Sequence, residues 1–223
     1  MTFRALLFDF DGTLVDTRAA SWELFAETNR LFDLGLDTQQ QFFGIFSGNF
    51  FRSLADHCGD EARAAAAARH FMELVRERYA PPFIPGIIEV VRALATSSTL
   101  AIVSSNLRET IERLLAGVGL DDCFSAIIGG DIEPNKTAAI ERFLGAGPGY
   151  ARDEVALITD TAGDVGEGRA SGIRVYGVSW GMHDHHQLTA AGADRVADDP
   201  AQLLAWFADV RRTHAYKGET WTV

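Results

Sequence analysis

The sequence predicts an α/β protein with a Rossmann-like, three-layer core built on a parallel sheet and with an inserted α-helical cap domain. From Pro85 onward, short apolar runs alternate with helical patterns, which is typical of a parallel sheet covered on both faces. The segment before Pro85 instead carries long helical patterns and few β-branched residues. We therefore expect residues 1–16 and 84–223 to form the core and residues 17–83 to form the cap.

The first strand is predicted over residues 4–8, an apolar run that ends at Asp9. The cap then shows a stripe at helical spacing with one polar member: Trp22, Phe25, Asn29 and Phe32. A later cap helix is predicted to start after Asp60, which can cap it, and to end near Tyr79 because prolines follow.

The remaining elements alternate along the chain after the cap. Strands are predicted over residues 99–103, 125–128, 155–159 and 173–178, and helices over residues 106–116, 136–144, 164–171 and 200–210. A weak helix near Gln187 and a short strand near Arg195 come before the last helix. Repeated strand–helix units of this kind indicate a parallel sheet covered on both faces.

Composition excludes some partners. The formal net charge of −11 argues against nucleic acid, since there is no basic surplus to release counterions. A small phosphorylated metabolite is compatible with that charge, because a bound metal can make a site locally positive. We expect no membrane span and a cytoplasmic protein, with Cys58 and Cys123 as reduced structural thiols. Monomer and homodimer both stay open.

Polar side chains recur where the predicted strands end. Four segments supply them: Asp9 and Asp11; Ser104, Ser105 and Asn106; Lys136; Asp160 and Asp164. The carboxyl ends of parallel strands share one edge of a sheet, so these side chains should gather there. Four carboxylates without a cation would repel one another, and hard oxygen ligands suit magnesium. The sequence therefore predicts a magnesium site at this edge, with four acidic members: Asp9, Asp11, Asp160 and Asp164.

The motifs have a family pattern. In chain order they are Asp9-Phe10-Asp11-Gly12-Thr13, Ser104 after Leu100-Ala101-Ile102-Val103, Lys136, and Asp160-Thr161-Ala162-Gly163-Asp164. This order resembles the haloacid dehalogenase-like (HAD) superfamily, in its phosphoglycolate-phosphatase-like branch with a helical cap inserted after the first strand. The resemblance extends to about Val210. Two positions depart from the family's usual residues, namely Thr159 before the fourth motif and Thr137 after the lysine.

The resemblance implies a role for each motif residue. Asp9 would be the nucleophile that forms an aspartyl-phosphate, and Asp11 would protonate the leaving oxygen and later activate water. Asp11 would also offer its backbone carbonyl to magnesium. Ser104 would hydrogen-bond the phosphoryl group, and Lys136 would neutralise charge between Asp9 and the phosphate. Asp160 would bind the metal directly.

Supporting roles complete the predicted site. Asp164 would support the metal through water or through the lysine. Gly12 leaves room for close backbone approach, and neighbouring amides can form an anion-binding nest. We place the remaining phosphate-binding candidates beside it: Thr13, Ser105 and Asn106.

The predicted function is a magnesium-dependent phosphatase that hydrolyses a small phosphomonoester, such as phosphoglycolate or a sugar phosphate. A phosphosugar mutase of the same superfamily is the first alternative, and a catalytically silent binding protein on the same fold is the second. A dehalogenase is disfavoured, because that branch lacks the acid that corresponds to Asp11.

Other residues carry weaker hypotheses. The histidines of one loop could bind zinc or nickel, but a solvated polar loop is the simpler interpretation: His183, His185 and His186. An aromatic cluster should supply mostly cap core: Phe42, Phe43, Phe46, Phe50 and Phe51. Arg18 and Arg52 could hold a substrate carboxylate or lie on the surface. Residues 44–49 could form a hinge or a specificity loop.

Overall fold

A single parallel sheet organises the core in the computed structural model, which describes residues 3–45 and 50–208. Its six strands are β1 (Ala5–Phe8), β2 (Thr99–Val103), β3 (Ala126–Ile128), β4 (Val155–Thr159), β5 (Arg174–Val178) and β6 (Arg195–Ala197). The spatial order is β3-β2-β1-β4-β5-β6, so the N-terminal strand is central. Leu7 pairs with Ala101 on one side and with Leu157 on the other. The predicted α/β fold with a parallel sheet is confirmed.

Besides short 3₁₀ helices such as Asp121–Cys123 and Arg152–Glu154, the described residues form α-helices. In chain order they are α1 (Arg18–Phe32), α2 (Gln39–Gly44), α3 (Phe50–Cys58), α4 (Glu61–Arg78), α5 (Ile87–Leu94), α6 (Arg108–Val118), α7 (Lys136–Ala146), α8 (Ala162–Ala170), α9 (His185–Ala191) and α10 (Pro200–Phe207). Within the part of the chain that the structure describes, no helix is both long enough and apolar enough to cross a membrane.

Helices cover both faces of the sheet because strand side chains alternate. On one face, Leu7 and Val175 belong to a buried cluster with Phe143 of α7 and Leu188 of α9. Tyr176, next to Val175, points to the other face, where its ring lies 4.7 Å from that of Phe207 in α10. The strands are therefore buried on two sides, which explains their nearly continuous apolar runs.

Residues Thr17–Pro81 form one compact unit, and Met1–Asp16 with Pro82–Val223 form the other. In the helical unit, α4 packs against α1 and α3. Its core is aromatic, and the Phe25 ring stacks on Phe42 with centroids 4.3 Å apart. The polar Asn29 in the α1 stripe is buried, and its Oδ1 accepts a hydrogen bond from the Leu36 backbone N–H at 3.0 Å. Asn29 thus orders the turn after α1 instead of weakening the helix.

Several element boundaries differ from the prediction. Helix α6 starts at Arg108 and not at residue 106, because Asn106 uses its side chain and backbone in the loop before the helix. The short helices α2, α3 and α5 were not predicted individually. Helix α10 ends at Phe207, earlier than the predicted end at residue 210, because the backbone of Ala208 is extended. The ring of Phe46, the side chain of Phe51 and most of the 44–49 segment lie outside the described residues.

Candidate active site

Asp9 is the first residue after β1, and both of its carboxylate oxygens have donors. Oδ1 accepts a hydrogen bond from the Phe10 backbone N–H at 2.7 Å, and Oδ2 lies 2.8 Å from Lys136 Nζ. The Asp9 backbone N–H donates to the Ile158 carbonyl at 2.9 Å, which continues the pairing of β1 with β4. Asp9 is only 6% exposed. The carboxylate is therefore held in one orientation at the edge of the sheet.

Lys136 joins two carboxylates. Asn135 caps α7 by accepting a hydrogen bond from the Ala138 N–H at 3.0 Å, so Lys136 is the first residue of the helix. Its ammonium contacts Asp164 as well as Asp9, and its side chain is 9% exposed. The side chain therefore lies between two segments that are far apart in sequence.

Charge in this cluster is unevenly compensated. Burial opposes the charged form of Lys136, but the negative charges of Asp164 and Asp9 raise its pKa above the usual range. Burial also opposes ionisation of Asp164, yet Lys136 and the Thr159 hydroxyl, which donates to Oδ2 at 2.6 Å, lower the pKa of Asp164. Burial raises the pKa of Asp9 well above its usual range despite the attraction of Lys136. The ammonium thus compensates Asp164 more fully than Asp9.

Asp160 follows β4 and lies against the first motif. Gly12 has φ of +73°, and a side chain there would collide with the Asp160 carboxylate. The fully buried Thr13 hydroxyl donates to Asp160 Oδ1 at 3.4 Å, and the Met182 backbone N–H donates to Oδ2 at 2.7 Å. Burial raises the pKa of Asp160 to about 7. Gly12 and Thr13, predicted to bind phosphate, are observed here in contact with this carboxylate.

Asp11 meets the loop after β2. Asn106 Nδ2 donates to Asp11 Oδ2 at 2.9 Å, while the Asn106 backbone N–H donates to the Ser104 hydroxyl oxygen at 3.1 Å. Ser104 is buried, and its own N–H donates to the Ile128 carbonyl at 3.1 Å. The structure thus brings Ser104 and Asn106 to Asp11, whereas Ser105, which lies between them, is exposed.

The residues at this edge fit a hard divalent cation. Within residues 3–45 and 50–208, no three histidine, cysteine or acidic side chains form a metal-binding group by themselves. The observed contacts reduce the four predicted acidic metal ligands, because Asp164 already pairs with Lys136 and accepts a hydrogen bond from Thr159. Asp9 and Asp160 are left as buried carboxylates with raised pKa values. A cation would offset their charge, and carboxylate, carbonyl and water oxygens are the ligands that magnesium prefers.

Sequence reasoning singled out His183 after β5 but missed the contacts that this segment makes with the site. Trp180 Nε1 donates to the Thr13 carbonyl at 3.1 Å, and the His183 N–H donates to the Asp160 carbonyl at 3.1 Å. Residue type did not mark these contacts, because the indole carries no acidic or nucleophilic group and the His183 contact is made by the backbone. Their position directly after a strand of the parallel sheet was the signal that could have found them.

The three loop histidines do not form a metal group within the described residues. His183 Nδ1 accepts a hydrogen bond from the Ala162 N–H at 2.8 Å, which satisfies a donor at the start of α8. His185 Nδ1 lies 2.9 Å from Asp198 Oδ1 at the start of α9. These contacts favour the interpretation as a structured polar loop over zinc or nickel binding.

The family follows from a comparison of sequences. A sequence model described as haloacid dehalogenase-like hydrolase matches residues 6–178, which is more than half of the chain. The chain belongs to the haloacid dehalogenase-like hydrolase family. This match spans the HAD-like motifs from Asp9 to Asp164, and the resemblance inferred from those motifs is confirmed.

Curated relatives of this HAD-like hydrolase are named as phosphatases. The phosphoglycolate phosphatase of Synechococcus elongatus is 29% identical over 206 residues, covering 90% of this chain and 95% of the relative. Pyrophosphatase PpaX of Listeria monocytogenes is 29% identical over 215 residues, covering 92% of this chain and 96% of the relative. These names support the prediction that the HAD-like chain is a phosphatase enzyme.

A solved structure supports the fold of the HAD-like chain. A haloacid dehalogenase-like family hydrolase from Streptococcus pneumoniae superposes with a TM-score of 0.80 at 24% identity, covering 92% of this chain and 98% of that one. The similarity extends over nearly the full length of both proteins. It therefore supports the Rossmann-like fold independently of the motif residues.

Proposed function

We propose that this protein is a magnesium-dependent phosphatase that hydrolyses a small phosphomonoester through an aspartyl-phosphate on Asp9. The observation that carries the proposal is the oriented Asp9 carboxylate, held by the Phe10 N–H and by Lys136. A carboxylate nucleophile divides a difficult transfer into two easier steps. A fixed orientation favours in-line attack because the reacting atoms need not be ordered during the reaction.

The first step forms an acyl phosphate. An oxygen of Asp9 forms a bond to phosphorus as the bond from phosphorus to the leaving oxygen breaks. Asp11 gives its proton to that leaving oxygen, so the product departs as an alcohol and Asp11 becomes a carboxylate. The Asn106 amide, 2.9 Å from Asp11 Oδ2, orients this acid.

The second step regenerates the enzyme. The Asp11 carboxylate takes a proton from water, whose oxygen forms a bond to phosphorus. The bond from phosphorus to the Asp9 oxygen breaks, inorganic phosphate leaves, and both aspartates return to their starting protonation states. Ser104 and Lys136 are proposed to bind the phosphoryl oxygens during both steps, through a hydroxyl donor and a positive charge.

The metal is part of the proposal. We assign Asp9, Asp160 and the Asp11 backbone carbonyl as its ligands, with Asp164 in support through Lys136. When bound, magnesium would supply positive charge that offsets the phosphate and lets Asp9 act as a carboxylate. The raised pKa values of Asp9 and Asp160 support this assignment, because they indicate carboxylates without enough positive charge nearby.

The proposed substrate class is based on the names of the curated relatives. Phosphoglycolate phosphatases and pyrophosphatases both occur among them at similar identity. We propose a phosphomonoester such as phosphoglycolate or a sugar phosphate, selected by the helical unit Thr17–Pro81 acting as a cap, as the family resemblance implies. We also propose a cytoplasmic location, in keeping with the absence of a disulfide at Cys58 and Cys123.

A metabolite panel tests the function. The purified protein with magnesium should release phosphate from at least one phosphomonoester, and the panel should include pyrophosphate as a competitor class. Asp9→Asn should abolish release, and an acid-quenched wild-type reaction should show phosphate on the peptide that contains Asp9. Isomer formation from a hexose phosphate without phosphate release would instead favour the mutase. No release from any compound, with no effect of Asp9→Asn, would favour the silent binding protein.

A further inference from the structure

The segment after β5 reaches back to the first and fourth motifs through backbone and ring donors. Trp180 Nε1 donates to the Thr13 carbonyl at 3.1 Å. The Met182 N–H donates to Asp160 Oδ2 at 2.7 Å, and the next N–H, that of His183, donates to the Asp160 carbonyl at 3.1 Å. Three donors from four consecutive residues thus hold the loop after β1 and the residue after β4.

Gly181 lets this segment come close. A side chain at Gly181 would collide with the Asp160 carboxylate and would lie 2.5 Å from the Gly12 carbonyl oxygen. The φ angle of Gly181 is outside the left-handed region, so space and not backbone conformation requires glycine here. A side chain at Gly12 would also collide with the Asp160 carboxylate, so this carboxylate lies between the backbones of two glycines, Gly12 and Gly181.

The two carboxylate oxygens of Asp160 are held differently. Oδ2 accepts the short Met182 hydrogen bond, whereas Oδ1 has a long 3.4 Å contact with the Thr13 hydroxyl. Asp160 is 2% exposed, so its rotamer is set by these neighbours and not by solvent. A carboxylate fixed through one oxygen keeps the other in a defined direction. Such support of a ligand commonly changes metal affinity about 10- to 100-fold.

We propose that Trp180, Gly181 and Met182 form a positioning segment that orients Asp160 toward a divalent cation and thereby sets the affinity of the site for that cation. The inference rests on the proposed function, because it takes Asp160 to be a magnesium ligand. It goes beyond that function in assigning the control of cation affinity to residues that carry no metal-binding side chain.

Isothermal titration calorimetry of the purified protein with magnesium measures cation binding directly and tests the proposal without any substrate. Gly181→Ala should weaken cation binding about 10- to 100-fold, because the new methyl group displaces the carboxylate. Gly166→Ala is the matched control, since a side chain there meets open space in α8. It should leave cation affinity unchanged and raise helix stability slightly.

Trp180→Phe is the second variant, because it deletes the indole N–H and keeps an aromatic ring. It should weaken cation binding by a smaller factor, about 3- to 10-fold, as expected for one lost hydrogen bond. Thermal unfolding in EDTA establishes that each variant is folded before the titration. If Gly181→Ala does not fold, the affinity of Trp180→Phe decides the question.

The possible results distinguish a failure of the positioning segment from a failure of the proposed magnesium site. Wild-type affinity in folded Gly181→Ala, or in Trp180→Phe when it is the deciding variant, would overturn the positioning segment alone. An Asp160→Asn variant that binds magnesium as tightly as the wild type would overturn the proposed metal site, and the inference with it. Weakened binding in the folded segment variants, with loss in Asp160→Asn and no change in Gly166→Ala, supports both.

Discussion

Replacing Lys136 with methionine removes the ammonium that the structure places between Asp9 and Asp164. The methionine keeps most of the apolar stem, so the change isolates the charge. The chain contains 20 lysine and arginine residues, but only two are lysine, at positions 136 and 217. A compact ammonium with three donors suits a position between the buried Asp9 carboxylate and the partly buried Asp164 carboxylate better than a planar guanidinium does.

The expected loss of stability follows from burial. At 2.8 Å and an effective dielectric constant of about 20, the attraction between Nζ and Asp9 Oδ2 is roughly 6 kcal/mol before desolvation is subtracted. Removing one partner of a buried pair leaves the other charge uncompensated and typically costs about 3–5 kcal/mol. We expect the free energy of unfolding of Lys136→Met to fall by that amount in metal-free buffer.

Chemical denaturation in EDTA measures this effect, with a matched control on the same helix. Arg142 pairs with Glu133 at 3.2 Å, but its side chain is 41% exposed. Water screens such a pair, so Arg142→Met should lose less than about 1 kcal/mol. A double variant, Lys136→Met with Asp9→Asn, should be more stable than the sum of the single effects predicts, by about 1–3 kcal/mol. Phosphatase activity should be lost in Lys136→Met.

Equal losses in Lys136→Met and Arg142→Met would refute this reasoning, since burial would then make no difference to the two ion pairs. Strict additivity of the Asp9 and Lys136 changes would refute it as well. A third variant, Lys136→Arg, should recover little of the stability, because a longer planar group cannot occupy the same space between the two carboxylates. Full recovery would show that only the charge matters at this position.

Three further changes test individual contacts. Asn106→Ala should lower kcat/KM for an alkyl phosphate about 10-fold or more and should affect p-nitrophenyl phosphate less. The reason is that an alkoxide is a poor leaving group and depends more on a proton from Asp11. Equal losses for the two substrates would contradict a role of Asn106 in orienting that acid. Thr159→Val should cost about 1–3 kcal/mol in denaturant unfolding by removing the hydroxyl donor to Asp164, whereas Thr159→Ser should stay near wild type. Asn29→Leu should also cost about 1–3 kcal/mol in the same assay, although it completes the apolar stripe of α1, since it leaves a buried backbone N–H without its acceptor; a more stable variant would show that the stripe alone governs this helix.

The structure shows contacts for Thr159 and Thr137, the two residues that differ from the usual family residues. The hydroxyl of Thr159 donates to Asp164 Oδ2 at 2.6 Å. The backbone N–H of Thr137 donates to Glu167 Oε2 at 3.2 Å, a hydrogen bond that proline could not make. The sequence marked both positions as unusual but offered no reason for them. Glu167 lies 30 positions from Thr137, and the contact of Thr159 with Asp164 depends on how the start of α8 folds back onto the end of β4.

The sequence by itself determined the order of the strands, the order of the helices from α6 onward, and which polar residues follow the strands. Those features depend on local patterns: apolar runs of four to five residues for β2 and β4, whose bounds match the prediction, and an Asp-x-Asp turn directly after β1. A buried parallel sheet brings strand ends to one edge whatever the loops contain. For this reason the sequence alone predicts that Asp9, Lys136 and Asp164 lie close together.

Only the tertiary structure showed which hydrogen-bond donors and which cation contact each acidic side chain of the site. Lys136 and Thr159 converge on Asp164, while Met182 holds Asp160 from a segment after β5. These contacts join residues up to 28 positions apart. They depend on the register of the sheet and on close approaches that only glycine allows, as at Gly181. No local periodicity encodes such distances, because they arise from the packing of separate loops against one another.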